Sequence, residues 1–352
     1  MVIRAIAFQR FEWFGLLLLA VLLPVFAHAD TLRVLSWPGY ADADLVKTFE
    51  ARTGSQVSVT YIDSDEALWE RINRNQGQDF DVFAVNTAEL QRYIRAALVG
   101  PIDTAKVPNT AKQLPRFRQL DRISGLVQQG QVFGVPYTYA EMGLIYDRQQ
   151  IKAPPSSVTA LWDPQYRGKV LLYNGSSHNF TLAAQSLGNN RPFQLTASQW
   201  PAAVDRLIAL RRNALGFYTQ PQESVNLFQQ KRAALMLANY GSQQLQLLKA
   251  AGVDAGYVIP KEGALAWLDT WAITRLSKNT ALAHTWVNYL LGPAPSQALV
   301  ERQGLANTLA EPPYLQPKDR IVWLEPVEDS DRRQQLWERI LSGDRASRVL
   351  AP

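Results

Sequence analysis

Residues 32–62 read LRVLSWPGYADADLVKTFEARTGSQVSVTYI, and their pattern predicts a strand, a helix and a second strand. Strands joined through a helix pair in parallel, and parallel sheets bind ligands beyond the carboxyl ends of their strands. Trp37 ends the first strand and Tyr40 follows it, so we expect both side chains at a ligand site. The predicted elements are a strand at 32–37, a helix at 44–53 that ends at Gly54, and a strand at 57–62.

The same alternation continues along the chain. A helix at 66–75 precedes a buried-type strand at 80–85, which is followed by Asn86 and Thr87. After residues 134–137 the pattern starts again, and 352 residues are too many for one ordinary core, so we predict two α/β lobes. The later predicted elements are strands at 142–146, 168–173, 231–238, 257–260 and 270–274, helices at 181–187, 200–212 and 280–291, and a helix-rich end at 320–341.

The N-terminus carries the pattern of an export signal. Arg4 and Arg10 flank an apolar run at 15–26, and Ala27-His28-Ala29 is a small-x-small cleavage pattern. The alternative is an uncleaved membrane anchor, but the run is shorter than the ~20 residues that a spanning helix needs. We therefore predict that residues 1–29 are a cleaved signal peptide and that the protein is periplasmic.

The composition excludes several functional classes. The chain has no cysteine, which excludes thiolate metal sites, and its formal net charge of +5 is spread without a basic tract, which argues against nucleic-acid binding. Dinucleotide, P-loop, zincin and nucleophile-elbow motifs are missing from the sequence. His178 and His284 stand apart from any carboxylate cluster, so we expect no metal, no cofactor and no catalytic residue.

Residues 267–271, WLDTW, place a carboxylate among indoles. An indole face attracts a cation, and a partly desolvated carboxylate accepts N–H bonds from an ammonium group. Trp267 and Asp269 are therefore candidates for one half of an amine site. Trp37 and Tyr40 are candidates for the other half, and Tyr240, in a loop beside Asn239 and Gly241, is a further candidate ligand contact.

Several stretches resemble the periplasmic spermidine/putrescine-binding proteins, the substrate-binding subunits of ABC importers. The resemblance covers nearly the whole chain after residue 30, and the last stretch is the most specific. It implies a two-lobed, hinged periplasmic binding protein fold of type II, an amine ligand, an inner-membrane ABC permease as partner, and a monomer. The stretches are 35–40 (LSWPGY), 80–83 (FDVF), 134–137 (GVPY), 145–147 (IYD), 161–170 (LWDPQYRGKV), and 259–263 (IPKEG) with Trp267 and Asp269.

The resemblance also implies lobe boundaries and roles. Lobe 1 is expected to hold 30–137 and about 269–313, and lobe 2 to hold 138–268 and about 314–352. The aromatic residues enclose the alkyl chain of the amine, and Asp269 holds an ammonium. Asn86, with Thr87 beside it, replaces a hydroxyl-bearing residue of the family. The aromatic positions are Trp37, Tyr40 and Trp267, with Tyr240 close to a further tryptophan of the family.

This sequence differs from the family at several positions that are expected to contact the far end of the ligand. An acidic pair of the spermidine binders is replaced by 174–178, NGSSH, which has no carboxylate, and Pro38-Gly39 replaces an acid of the putrescine binders. Glu141, in the predicted hinge segment, is either a substitute cleft carboxylate or a solvated loop residue. If it is not a substitute, an asymmetric ligand fits, with an amine at Asp269 and its neutral or anionic end near Asn86, Ser176, Ser177 and His178. A 4-aminobutyrate or 5-aminovalerate type of ω-amino acid and an acylated polyamine are examples.

Two further alternatives remain at this point. The first is an exported enzyme that acts on an amine in the same cleft, with His178 as its base. The second is a receptor of the same kind that serves sensing instead of transport. The sequence separates neither from an importer subunit.

Overall fold

The computed structural model describes residues 30–351 except Pro313 and Pro317. The predicted signal peptide lies outside the described residues. The strands are β1 Thr31–Ser36, β2 Gln56–Tyr61, β3 Val82–Asn86, β4 Val99–Gly100, β5 Val127–Gln128, β6 Gln131–Val132, β7 Val135–Met142, β8 Leu144–Asp147, β9 Val170–Tyr173, β10 Ala214–Tyr218, β11 Leu235–Leu237, β12 Ala255–Val258, β13 Ala264–Thr274, β14 Ala306–Asn307 and β15 Ile321–Trp323.

Helices cover the sheets and connect their strands. The α-helices are α1 Ala43–Thr53, α2 Asp65–Arg74, α3 Thr87–Arg95, α4 Pro115–Arg118, α5 Ser176–Ser186, α6 Trp200–Asn213, α7 Pro221–Gln230, α8 Ser242–Ala250, α9 Thr280–Leu290, α10 Pro293–Gln303, α11 Ser330–Leu341 and α12 Ala346–Val349. Short 3-10 helices lie at Thr104–Lys106, Pro108–Lys112, Leu120–Arg122, Val158–Trp162 and Pro164–Tyr166. Within the described part of the chain, none of the helices is long and apolar enough to cross a membrane.

The first sheet contains the predicted strand–helix–strand opening. Its strand order is β14-β7-β13-β3-β1-β2, and β4 and β15 also pair with β13. β1 lies parallel to β2 and to β3, which confirms the predicted parallel start. Helix α1 ends as predicted at Gly54, whose φ of 72° is in the left-handed region that glycine tolerates and whose N–H donates to the Glu50 carbonyl.

The second sheet forms the second α/β unit. Its strand order is β10-β9-β11-β8-β12, with β9 parallel to β10 and β11, and β8 antiparallel to β11 and β12. The chain passes from the first sheet to the second at Gly143, between β7 and β8. A Cβ there would lie 2.5 Å from the Tyr257 ring, so a larger residue at this crossing would require that ring to move. The predicted α/β fold with two lobes is confirmed.

Strand β13 differs from the prediction, and the difference matters for the site. The sequence predicted a strand only at 270–274, which leaves Trp267 and Asp269 outside it, whereas β13 spans Ala264–Thr274 in the middle of the first sheet. Asp269 interrupts an otherwise apolar run, and the pattern alone treats a carboxylate as a strand end. The residues assigned to each lobe stay a prediction, but the pairing of all of β13 within the first sheet favours a boundary before Ala264.

Two other elements also shift. Helix α5 begins at Ser176 instead of 181, which places Ser177 and His178 in its first turn. The predicted strand at 231–238 shortens to β11, because its first residues form the turn that ends α7.

Each sheet has its own apolar core. Trp271 and Trp286 are buried in the first at a centroid distance of 6.2 Å, and Phe180 and Trp200 in the second at 5.3 Å.

Candidate ligand-binding cleft

A cleft of about 1060 Å³ lies between the two sheets. Its walls come from both, because β1, β2 and β3 of the first sheet end on one side, where the middle of β13 also lies, and β9 and β11 of the second end on the other. Most of the predicted site residues come together there. Those that line it are Trp37, Tyr40, Asn86, Ser177, His178, Tyr240, Trp267 and Asp269.

Asp269 is the buried acid of the cleft. Its side chain is 6% exposed, and Tyr40, which is 3% exposed, donates from its hydroxyl to Asp269 Oδ2 at 2.7 Å. Burial raises the pKa of Asp269 to about 7, although the hydrogen bond from Tyr40 acts in the opposite direction. Without a cation, the carboxylate is therefore only partly ionised near neutral pH.

Two indole rings line the same cleft as this acid. Trp37 follows the carboxyl end of β1, and Trp267 precedes Asp269 by two residues on the same face of β13. The Trp267 Nε1 donates to the Asn239 carbonyl at 2.8 Å, which ties this wall of the first sheet to the second. Tyr40 is held by an edge contact to Tyr137 at 5.3 Å. The arrangement provides aromatic surfaces around one carboxylate.

Asn86 links Asp269 to a second carboxylate that the sequence analysis missed. Asn86 lies opposite Asp269 in the β3–β13 pairing, caps α3 by accepting from the Glu89 N–H at 2.9 Å, and donates to Asp65 Oδ1 at 3.1 Å. Asp65 is the first residue of α2 and lines the cleft. Burial and the charges of Glu89 and Asp269 raise the pKa of Asp65. The available signal was an acid after Ser64, directly beyond the carboxyl end of β2.

The opposite wall is aromatic and carries no carboxylate at 174–178. Tyr173 makes edge contacts with His178 at 5.4 Å and with Tyr240 at 6.0 Å, and the Tyr240 hydroxyl donates to the Thr219 carbonyl at 2.6 Å. Burial and the nearby Arg333 charge lower the pKa of His178 to about 4. His178 is therefore neutral at physiological pH, so it adds no cation to the cleft.

Arg333 supports this wall from behind. Its side chain is fully buried and forms an ion pair with Glu328 at 2.7 Å. Its guanidinium also donates to the Ser177 carbonyl at 3.0 Å and to the Thr181 hydroxyl at 2.8 Å. Arg333 on α11 thus fixes the first turn of α5, where Ser177 and His178 lie.

Two predicted site residues lie outside the lining of the cleft. Glu141 is fully buried in β7, where Tyr314 donates to its Oε2 at 3.1 Å and burial raises its pKa to about 7. Thr87 is 3% exposed at the start of α3 and is not among the lining residues. Glu141 pairs with Ala266, and side chains alternate along a strand, so Glu141 lies on the sheet face opposite to that of Trp267 and Asp269. Glu141 does not take the place of the acids lost at 174–178.

The lining of the cleft is acidic overall. Seven carboxylates line it, against two guanidinium groups and no lysine. Arg92 lies 3.7 Å above the Trp69 ring, and Arg302 is paired with Asp42 and Asp44. The acidic residues are Asp63, Asp65, Glu66, Glu89, Asp269, Glu325 and Asp331. This excess favours a cation. Among the described residues, no group of three or more histidine or acidic side chains is arranged to hold a metal ion.

The raised pKa of Asp269 predicts how stability changes with pH. The folded pKa of about 7 exceeds the ordinary value of 3.8, so the folded state keeps a proton that the unfolded state loses. We expect the free energy of unfolding of the ligand-free protein to fall as pH rises through this window. Asp269→Asn should reduce that fall by about 1 to 3 kcal/mol. Denaturant titrations between about pH 5 and pH 8 measure it, and parallel curves for the two proteins contradict the assignment.

Comparison with known proteins gives a family and several relatives. The profile of the family "Bacterial extracellular solute-binding protein" matches residues 44–312. The spermidine/putrescine-binding periplasmic protein 1 of Haemophilus influenzae is 24% identical over 322 residues, which are 86% of each chain. The putrescine-binding periplasmic protein PotF of Escherichia coli is 27% identical and covers 76% of this chain and 75% of its own.

Solved structures share the fold. A putative spermidine/putrescine ABC transporter protein from Listeria monocytogenes superposes with a TM-score of 0.74 at 23% identity, over 89% of this chain and 98% of its own. The Tp0655 lipoprotein of Treponema pallidum has a TM-score of 0.76 at 17% identity, over 89% and 99%. At these identities the likeness concerns the fold alone.

Proposed function

This chain belongs to the bacterial extracellular solute-binding protein family, and from that we propose that it is the periplasmic receptor of an ABC importer for a polyamine or related linear amine. The observation that carries the proposal is Asp269, a buried carboxylate that accepts from Tyr40 and shares an acidic cleft with Trp37 and Trp267. Ammonium groups bind where a carboxylate and aromatic faces meet.

The relatives support the same ligand class. The curated relatives above are named for spermidine or putrescine, and both names place them in the periplasm. We infer that this chain is exported by its predicted signal peptide and delivers its ligand to an inner-membrane permease. Closure of the two lobes over the cleft would create the shape that the permease reads. That the receptor acts as a monomer stays a prediction.

Two alternatives, an ω-amino acid ligand and an exported enzyme, have less support. An ω-amino acid would bring a carboxylate into a cleft that already holds seven acidic side chains. An enzyme with His178 as its base would rely on an imidazole whose pKa burial and Arg333 lower to about 4, and such a group is a weak base at neutral pH.

Calorimetry tests the proposal with putrescine, cadaverine, spermidine, 4-aminobutyrate and 5-aminovalerate. We expect a Kd on the order of micromolar for at least one of the di- or polyamines and much weaker binding of the amino acids. Because a bound ammonium stabilises the ionised form of Asp269, we also expect proton release and an affinity that rises from about pH 6 to pH 8. Failure of every amine to produce heat or to raise the melting temperature overturns the proposal.

A further inference from the structure

We propose that Asp65 is a second acidic pole of the cleft, and that it takes the other cationic nitrogen of a diamine or polyamine. This inference rests on the proposed function and narrows it to ligands that are cationic at both ends. The second charge is then held not at 174–178 in the second lobe but in the first lobe, on the first turn of α2.

The position of Asp65 is fixed by the fold. Ser64 caps α2 by accepting from the Ala67 N–H at 3.1 Å, which sets Asp65 as the first helical residue beyond the end of β2. The Asn86 amide then holds one carboxylate oxygen at 3.1 Å, while its own oxygen is engaged with the Glu89 N–H. One carboxylate oxygen is thus oriented by a bond from the end of β3 to the start of α2, and the group still lines the cleft.

Two aromatic rings of the other lobe, Tyr173 and Tyr240, line the same cleft as this carboxylate. Burial and the nearby charges of Asp65 and Glu66 raise the pKa of Tyr173 to about 12, and Asp65 contributes to the raised pKa of Tyr240 as well. A cation between them would meet a carboxylate on one side and ring faces or edges with hydroxyl oxygens on the other.

A separate observation, an unpaired buried acceptor among the lining residues, indicates that the ligand carries a hydrogen-bond donor. Asn239 lines the cleft, is 5% exposed, and has its backbone fixed by bonds to Trp267 and to the Tyr218 hydroxyl. Its side-chain Oδ1 is buried without a hydrogen-bond partner among residues 30–351, Pro313 and Pro317 excepted. Buried acceptors are normally paired. An ammonium or secondary amine of the ligand supplies the missing N–H.

Without the ligand, the acids at this end oppose one another. Burial together with the charges of Glu89 and Asp269 disfavours ionisation of Asp65. A ligand with one cationic end relieves this repulsion at Asp269 only, whereas a second cationic nitrogen also relieves it at Asp65. The same charges repel a ligand whose far end is a carboxylate. The cleft therefore disfavours ω-amino acids, because its acidic side chains repel the ligand carboxylate and offer it no favourable contact.

The test compares two ligands that differ by one charge. Putrescine has two ammonium groups, and N-acetylputrescine replaces one of them by a neutral amide. Asp65→Asn keeps the shape of the side chain and an acceptor for the Asn86 amide. In calorimetric titrations of the whole exported chain, we expect the variant to lose at least about tenfold in putrescine affinity and less than about threefold in N-acetylputrescine affinity.

Controls separate the possible outcomes. Glu70→Gln changes an exposed acid on the same helix that is paired with Arg74, and it should bind putrescine within about twofold of the native protein. The melting temperature of ligand-free Asp65→Asn should be unchanged or higher, which excludes misfolding as the cause of a loss. Equal losses for both ligands, or no loss for either, overturn the role of Asp65. Failure of the native protein to bind any amine overturns the proposed function and this inference together.

Discussion

Replacing Asp269 by asparagine is expected to weaken putrescine binding by about 100- to 1000-fold. The side chain is nearly fully buried, so the ammonium that it holds is desolvated in the complex. Removing one partner of a buried ion pair costs ~3 to 5 kcal/mol, because the remaining charge is left uncompensated. Tyr40 keeps a hydrogen-bond acceptor in the variant, so the aromatic part of the site is preserved.

Isothermal titration calorimetry measures this loss, and the melting temperature of the ligand-free variant shows that the fold is intact. We expect that temperature to be equal or higher near pH 8, because the asparagine removes a buried group that resists ionisation. Asp205→Asn, on the exposed side of α6, is the matched control and should leave the affinity within about twofold. A tenfold loss or less for Asp269→Asn contradicts its role as the principal cation contact.

Replacing Arg333 by methionine is expected to lower the free energy of unfolding by ~3 to 5 kcal/mol. Methionine fills a similar volume but cannot pair with Glu328, and it leaves the Ser177 carbonyl and the Thr181 hydroxyl without their buried donor. Because α11 and α5 meet at this residue, we also expect weaker amine binding through a looser second wall of the cleft.

Guanidinium titrations followed by tryptophan fluorescence measure the change in stability. Arg212→Met, at an exposed position on α6, is the control and should change stability by less than ~0.5 kcal/mol. Adding Glu328→Gln to Arg333→Met should recover part of the loss, since it removes the unpaired carboxylate. A change below ~1 kcal/mol for Arg333→Met would show that the buried pair is not formed.

The fold follows from the sequence where the chain obeys a simple period. Residues 32–62 alternate strand, helix and strand with a glycine stop, and their bounds agree with β1, α1 and β2 to within one residue. Strand β13 departs from that rule because a charged residue sits inside a buried run. The pattern of apolar residues is a local signal, whereas the pairing that buries Asp269 comes from β3 and β7, far away in the sequence.

The candidate site follows from the sequence in part, for a related reason. Trp37, Tyr40, Trp267 and Asp269 converge as expected, since strand ends and the family pattern both mark them. Asp65 was missed because an acid in the first turn of a helix is common and needs no ligand to explain it. The orientation of Asp65 depends on Asn86, which lies 21 positions later in the chain and contacts Asp65 only in the folded protein.

The wide separation of the two acids along the chain has an evolutionary consequence. Asp65 lies on α2, and Asp269 lies on β13, which joins the first sheet after the chain has built most of the second. A single crossover between two related genes, anywhere from α3 to β12, would join the Asp65 pole of one parent to the Asp269 pole of the other. Recognition of the two ends of an amine can therefore be inherited and exchanged separately.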